Sequence, residues 1–113
     1  MAKKSRIPAK IRNEVFARFN CCAACGTWDA REAGHLVSEA NGGAMVLENF
    51  VRLCDVCNKV QGTANVVFKA YAAPIANDVP YGDAIALTNS RRAYWAKYCK
   101  AAAAGIAKPY RPV

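Results

Sequence analysis

The chain has 113 residues, a formal net charge of +8 at neutral pH, six cysteines and a single histidine. That length suits one compact domain over 1–113 and leaves a modest core that an added staple would help. No apolar run is long enough to span a bilayer, and the basic opening Met1-Ala-Lys-Lys-Ser-Arg6 lacks the apolar stretch of a secretion signal, so a cytoplasmic protein with no membrane partner is expected.

Residues 1–7 read as a basic arm. Pro8 can open a helix, and Ile11, Val15, Phe16 and Phe19 give it an apolar stripe, with Arg12 and Arg18 facing elsewhere. Cys22-Ala-Ala-Cys25, followed by Gly26, is a first Cys-x-x-Cys knuckle. Residues 31–37 suggest a short strand. Ser38 to Gly43 carries turn chemistry, with Asn41-Gly42-Gly43 favouring positive φ. A returning strand is expected over 44–53. The second knuckle, Cys54-Asp-Val-Cys57, starts a helix near Asp55. Val56, Val60, Val67, Phe68 and Tyr71 would share one face of it, although Gly62 weakens its middle. Pro74 and Pro80 bracket a loop. A last helix is expected within 83–104, with Leu87, Tyr94, Trp95, Tyr98 and Ala102 as its apolar face; Gly105 and Pro109 end it.

Thiolates at i and i+3 around a tight turn can both reach one tetrahedral ion. Two such pairs complete a closed Cys₄ set, so Cys22, Cys25, Cys54 and Cys57 are expected to hold a structural Zn²⁺. In a reducing compartment paired knuckles favour metal over disulfides. With four thiolates and Zn²⁺ the net charge changes by −4 + 2, to about +6, and the surface stays positive. Such a field attracts phosphates. Cys21 and Cys99 are left over. Cys21 reads as a neighbour of the first knuckle and Cys99 as a small apolar helix residue.

The ordered set Cys22-x-x-Cys25-Gly26, Gly34-His35, Gly42-Gly43, Glu48-Asn49, Leu53-Cys54-x-x-Cys57-Asn58 resembles the HNH endonucleases. The similarity covers about residues 15–71. With Gly62-Thr63 it is closest to small stand-alone HNH proteins of phages and bacteria. It implies an α+β chain with a ββα-metal core over 15–71, stapled by the Cys₄ zinc site and flanked by N- and C-terminal helices. It implies a metal-dependent DNA endonuclease that cuts one strand per active site, in a bacterial or phage-infected host cell.

The resemblance also implies roles. His35 would be the general base that deprotonates the attacking water. Asn49 would hydrogen-bond the backbone or ring nitrogen to orient His35. Asn58 would ligate the catalytic ion from the helix. The chemistry agrees: an imidazole near neutral pKa suits a base, and a hard, exchangeable ion such as Mg²⁺ or Mn²⁺ suits Asn and phosphate oxygens. The sequence departs from the commoner pattern at Gly34, where many relatives carry a metal-binding Asp. Glu32, Glu39 and Asp29 are the nearby carboxylates; water and phosphate oxygens are the other way to fill the shell.

Basic residues concentrate at both ends, Lys3 to Arg18 and Arg91 to Arg111. They fit non-specific phosphate contact with weak sequence preference. Arg52, Lys59 and Arg92 are the candidate DNA contacts, and Gln61 and Asn65 recur near Asn58. A monomer would nick; a homodimer could cut both strands. The second reading, of a different class, is a catalytically silent zinc-dependent DNA-binding module in which Gly34 marks a lost metal site.

Overall fold

A computed structural model describes residues 7–105 and 108–112. Of the expected basic arm only Ile7 lies within them. Pro8 precedes the first helix, α1 (Ala9–Arg18), with its fixed φ of −56°. The stripe expected on this helix is used: Val15 is fully buried, and Ile11, Phe16 and Phe19 pack with it against Ala33 and Phe50.

Those last two residues belong to an antiparallel hairpin, β1 (Glu32–His35) and β2 (Phe50–Leu53). Its register pairs Glu32 with Leu53, Ala33 with Arg52, Gly34 with Val51 and His35 with Phe50. Side chains alternate along a strand, so Ala33, His35, Phe50 and Arg52 share the face under α1. Gly34, Val51 and Leu53 share the other, which meets the cysteines and Trp95.

The strands are shorter than the 31–37 and 44–53 expected. One more backbone bond, Leu36 N–H to Asn49 O at 2.8 Å, extends the pairing, and then the chain turns away. Two short 3₁₀ turns, Glu39–Asn41 and Leu47–Asn49, occupy the connection. Gly42 ends the first with φ +86°, as its sequence suggests. Gly43 serves by closeness instead: a Cβ there would collide with the Val37 carbonyl.

The next helix, α2 (Asp55–Gln61), begins at the second knuckle but is far shorter than expected. Gly62 takes φ +56° and stops it. Val67, Phe68 and Tyr71 therefore do not continue a helical face. Val66 donates to the Leu36 carbonyl at 2.8 Å, and Tyr110 bonds Val67 and Lys69 through its backbone, so this stretch runs extended beside the C-terminal segment. Val56 and Val60 are exposed; Cys57 and Gln61 are the buried positions of α2.

The last helix, α3 (Tyr81–Ala103), starts two residues before the expected 83–104 and ends one residue before its end. Trp95 and Cys99 are buried, and Tyr94, expected on the apolar face, is largely exposed. Trp95, Phe68, Tyr98 and Tyr110 form an aromatic cluster over the cysteines, with Trp95–Tyr110 centroids 4.8 Å apart. The described chain is a small mixed α/β fold with one two-stranded sheet and four cysteines close together. No helix among the described residues is long and apolar enough to cross a membrane.

Candidate metal centre and active site

Each Cys-x-x-Cys segment builds its turn from its own backbone. At the first, Gly26 N–H donates to Cys22 O at 2.8 Å, and Gly26 adopts φ +80° to close the turn. At the second, Cys54 Sγ accepts from Cys57 N–H at 3.4 Å and caps the start of α2. Ala23 N–H bonds Arg52 O at 2.8 Å and ties the first knuckle to β2, which leads into the second.

The four thiols of Cys22, Cys25, Cys54 and Cys57 thus converge, all buried, with their sulfurs within 4.8 Å of one another. Cys25 Sγ and Cys54 Sγ are 3.7 Å apart. A tetrahedral ion with Zn–S bonds of about 2.3 Å has an S–S edge of about 3.8 Å. The donor set, its burial and that edge fit a metal such as zinc. Hydrogen bonds from the neighbouring thiols Cys22, Cys25 and Cys57 pull the Cys54 thiol well below its ordinary value. Those from Cys22 above all bring Cys25 down to about 7. The same hydrogen bonds push Cys22 and Cys57 up, so without an ion the four thiols share their protons unequally, and a bound cation would displace those that remain.

Cys21 is buried beside this group but donates its S–H to Ala72 O at 3.6 Å. Cys99 is buried in α3, and burial pushes its thiol up to about 12. Neither belongs to the four-sulfur group.

α3 grips both knuckles. Trp95 Nε1–H donates to Cys57 O at 2.9 Å, and Arg91 Nη1 donates to Cys25 O at 3.1 Å and Ala73 O at 3.0 Å. Arg92 Nη2 lies 3.5 Å from Cys54 Sγ. Burial alone would lower the Arg92 pKa; the Cys54 and Cys25 thiolates outweigh burial and raise it. Arg92, expected as a DNA contact, is turned inward to the cysteines.

His35 is the last residue of β1 and is half-buried, its ring centroid 4.6 Å from that of Phe50. Gln61 Nε2 donates to the His35 carbonyl at 2.6 Å and to Ala64 O at 3.0 Å, so α2 holds the end of the strand. Asn58, three residues earlier on α2, reaches the same strand: its Oδ1 would lie 3.2 Å from a Cβ built on Gly34. Asn58 therefore meets Gly34, the strand neighbour of His35, on the face opposite the His35 side chain.

Asn49 works differently from the role expected. Its Oδ1 accepts from Val37 N–H at 2.9 Å, and its Nδ2 donates to Val37 O and Ala44 O, each at 3.0 Å. It clamps the chain two residues beyond His35, replacing the ladder where the strands diverge. Asn65 closes the same loop by accepting from Ser38 N–H and Asn41 Nδ2.

The space beside Gly34 is closed to a carboxylate as it stands. An added Cβ would collide with Leu53 Cδ1 and meet Leu53 Cγ at 3.0 Å, and Leu53 is fully buried. Among the described residues no second group of three His, Cys, Asp or Glu ligands exists beside the four cysteines. The donor beside Gly34 is thus the neutral Asn58 amide. It fits a hard divalent ion only if most of the shell comes from phosphate and water.

Arg52 donates Nε to Ala30 O at 2.7 Å and Nη1 to Phe19 O at 3.0 Å, under the Phe16 ring. It ties the end of α1 to the hairpin and uses two of its five N–H donors. Lys59 stays exposed, paired with Asp55 at 3.2 Å on the α2 surface. A cleft of about 290 Å³ lined by Arg18, Asn20, Cys21, Ala23 and Tyr71 lies against the first knuckle and does not include His35.

Sequence reasoning missed Tyr110. It is buried, and its hydroxyl donates to Ala24 O at 3.0 Å, inside the first knuckle. No local pattern marks it; a lone aromatic past a helix end acquires this role only through the path of the chain. Comparison of the chain with protein-family models, with curated proteins and with solved structures found no match.

Proposed function

We propose that this chain is an HNH-type endonuclease that hydrolyses DNA phosphodiester bonds with the help of a divalent ion, its structure stapled by zinc on Cys22, Cys25, Cys54 and Cys57. The observation that carries this reading is the meeting of Asn58 with the strand end that bears His35, 3.2 Å from the Gly34 Cβ position. Asn58 approaches the face opposite the His35 side chain; in this reading the phosphate lies across the strand end, with the base on one face and the ion on the other.

In this reading the His35 imidazole accepts a proton from a water as that water attacks phosphorus. The bond from phosphorus to the leaving 3′ oxygen breaks on the opposite side, and the leaving oxygen takes its proton from solvent. Gln61 and Asn49 hold the strand and loop on which His35 stands. Mg²⁺ or Mn²⁺ at Asn58, when bound, would supply charge relief at the phosphate and the leaving oxygen. Because Asn58 is neutral, affinity for that ion without DNA would be weak, with phosphate and water expected to supply most of its ligands. The positive net charge, +8 from the side chains and about +6 with zinc on four thiolates, draws the polyanion to the site with little sequence preference.

A second reading, a silent zinc-dependent DNA-binding module, is favoured by the packing of Leu53 into the place where relatives carry a carboxylate. Cleavage of supercoiled plasmid with Mg²⁺ or Mn²⁺, compared with His35→Ala, separates the two. A wild-type chain that nicks and a variant that does not supports the enzyme; plasmid retarded in a gel but left intact by both supports the module.

A further inference from the structure

Arg92 sits half-buried on α3 with its Nη2 3.5 Å from Cys54 Sγ. Its Nε is shielded from solvent with no hydrogen-bond partner. Among the described residues no carboxylate lies within ion-pair distance of it. A guanidinium is withdrawn from water only at a cost that an anion must offset. The anions at hand are sulfurs: Cys54, and Cys25 3.7 Å from it. One comes from each knuckle.

Four thiolates around a divalent ion carry a net charge of about −2. Hydrogen bonds to such sulfurs decide how firmly the ion is held. The neighbouring contacts of α3 include backbone carbonyls, Arg91 to Cys25 and Trp95 to Cys57, whereas Arg92 turns to a sulfur. We propose that Arg92 is the positioning residue of the metal centre: its guanidinium donates to the Cys54 thiolate at the junction of the two knuckles, offsets the charge of the four sulfurs and slows release of the ion. This rests on the zinc reading of the cysteines and not on nuclease activity.

The test uses the full chain, isolated with its metal, and Arg92→Met and Arg92→Lys. Zinc content is measured first. Release to a chromophoric chelator is then followed, with far-UV circular dichroism to establish that each variant is folded. Arg92→Met is expected to lose zinc about tenfold faster or more, in line with other outer-shell losses. Arg92→Lys keeps the charge without the planar fork and is expected to fall between. In the cobalt-substituted proteins, loss of the hydrogen bond in Arg92→Met moves the thiolate charge-transfer band to longer wavelength. Folded, zinc-loaded variants with wild-type release and an unmoved band overturn the proposal alone. So does an Arg92→Met chain whose DNA salt dependence falls by about one phosphate contact while its zinc release is unchanged. A wild-type chain that holds no metal overturns the zinc reading and the proposal together.

Discussion

Asn58 Oδ1 lies 3.2 Å from the point at which a side chain on Gly34 would begin, and the fully buried Leu53 fills the rest of that space. The strand end beside His35 is thus built to face an oxygen donor of α2 while withholding a carboxylate of its own. This predicts an ion that binds with DNA rather than before it.

Restoring the carboxylate tests that relationship. Gly34→Asp alone forces the fully packed Leu53 aside and is expected to destabilise the fold by about 1–3 kcal/mol. Paired with Leu53→Ala it gains room, and the double variant should bind Mn²⁺ without DNA at least tenfold more tightly than wild type, read by titration calorimetry. A folded double variant with unchanged Mn²⁺ affinity places the ion elsewhere.

Removing the structural metal should unfold the chain. The four sulfurs join the segment after α1 to the start of α2, and the buried cluster is built around them. Binding energy at such a site is folding energy. A strong zinc chelator is expected to abolish helical circular dichroism, and added zinc to restore it. A chain that keeps its full signal after losing its metal contradicts this.

Asn49→Ala removes three hydrogen bonds from the loop beyond His35. Leaving the Val37 groups without partners should cost about 1–3 kcal/mol. The expected result is a lower denaturant midpoint with unchanged slope, and slower cleavage by the folded fraction. A midpoint equal to wild type rules out the clamp.

Cys99 gives a pH dependence. Its thiol ionises near 9 when unfolded, but burial holds it protonated up to about 12 in the fold. Below pH 9 both states carry the proton and stability is unaffected. Between 9 and about 12 the unfolded state loses its proton first, so stability falls as pH rises, by at most about 1.4 kcal/mol per unit. Cys99→Ala should remove that part of the alkaline slope in thermal melts. Parallel slopes for the two proteins would contradict the assignment.

Much of the site could be read in the chain because it is made of short, ordered spacings. The two Cys-x-x-Cys pairs converge, α1 follows its Ile11–Val15–Phe19 stripe, and Trp95 is core. What could not be read depends on distant backbone. Val67, Phe68 and Tyr71 have helical spacing, yet Gly62 breaks the helix and Tyr110 pairs with the extended chain instead. Arg52 and Arg92 look like surface cations in sequence. Their carbonyl and thiol partners come from segments 22 to 38 residues away. Asn49 was recognisable as a fixed residue, but its partner Val37 is set by where the strands part.

The most direct test of the central claim is the conversion of supercoiled plasmid to nicked circles by the purified, zinc-loaded chain in Mg²⁺ or Mn²⁺. The account predicts nicking by wild type and a loss of at least 100-fold in His35→Ala, the usual scale for removing a general base, with the fold and DNA affinity retained. Plasmid left supercoiled by wild type in both metals, or nicked equally by His35→Ala, would contradict it.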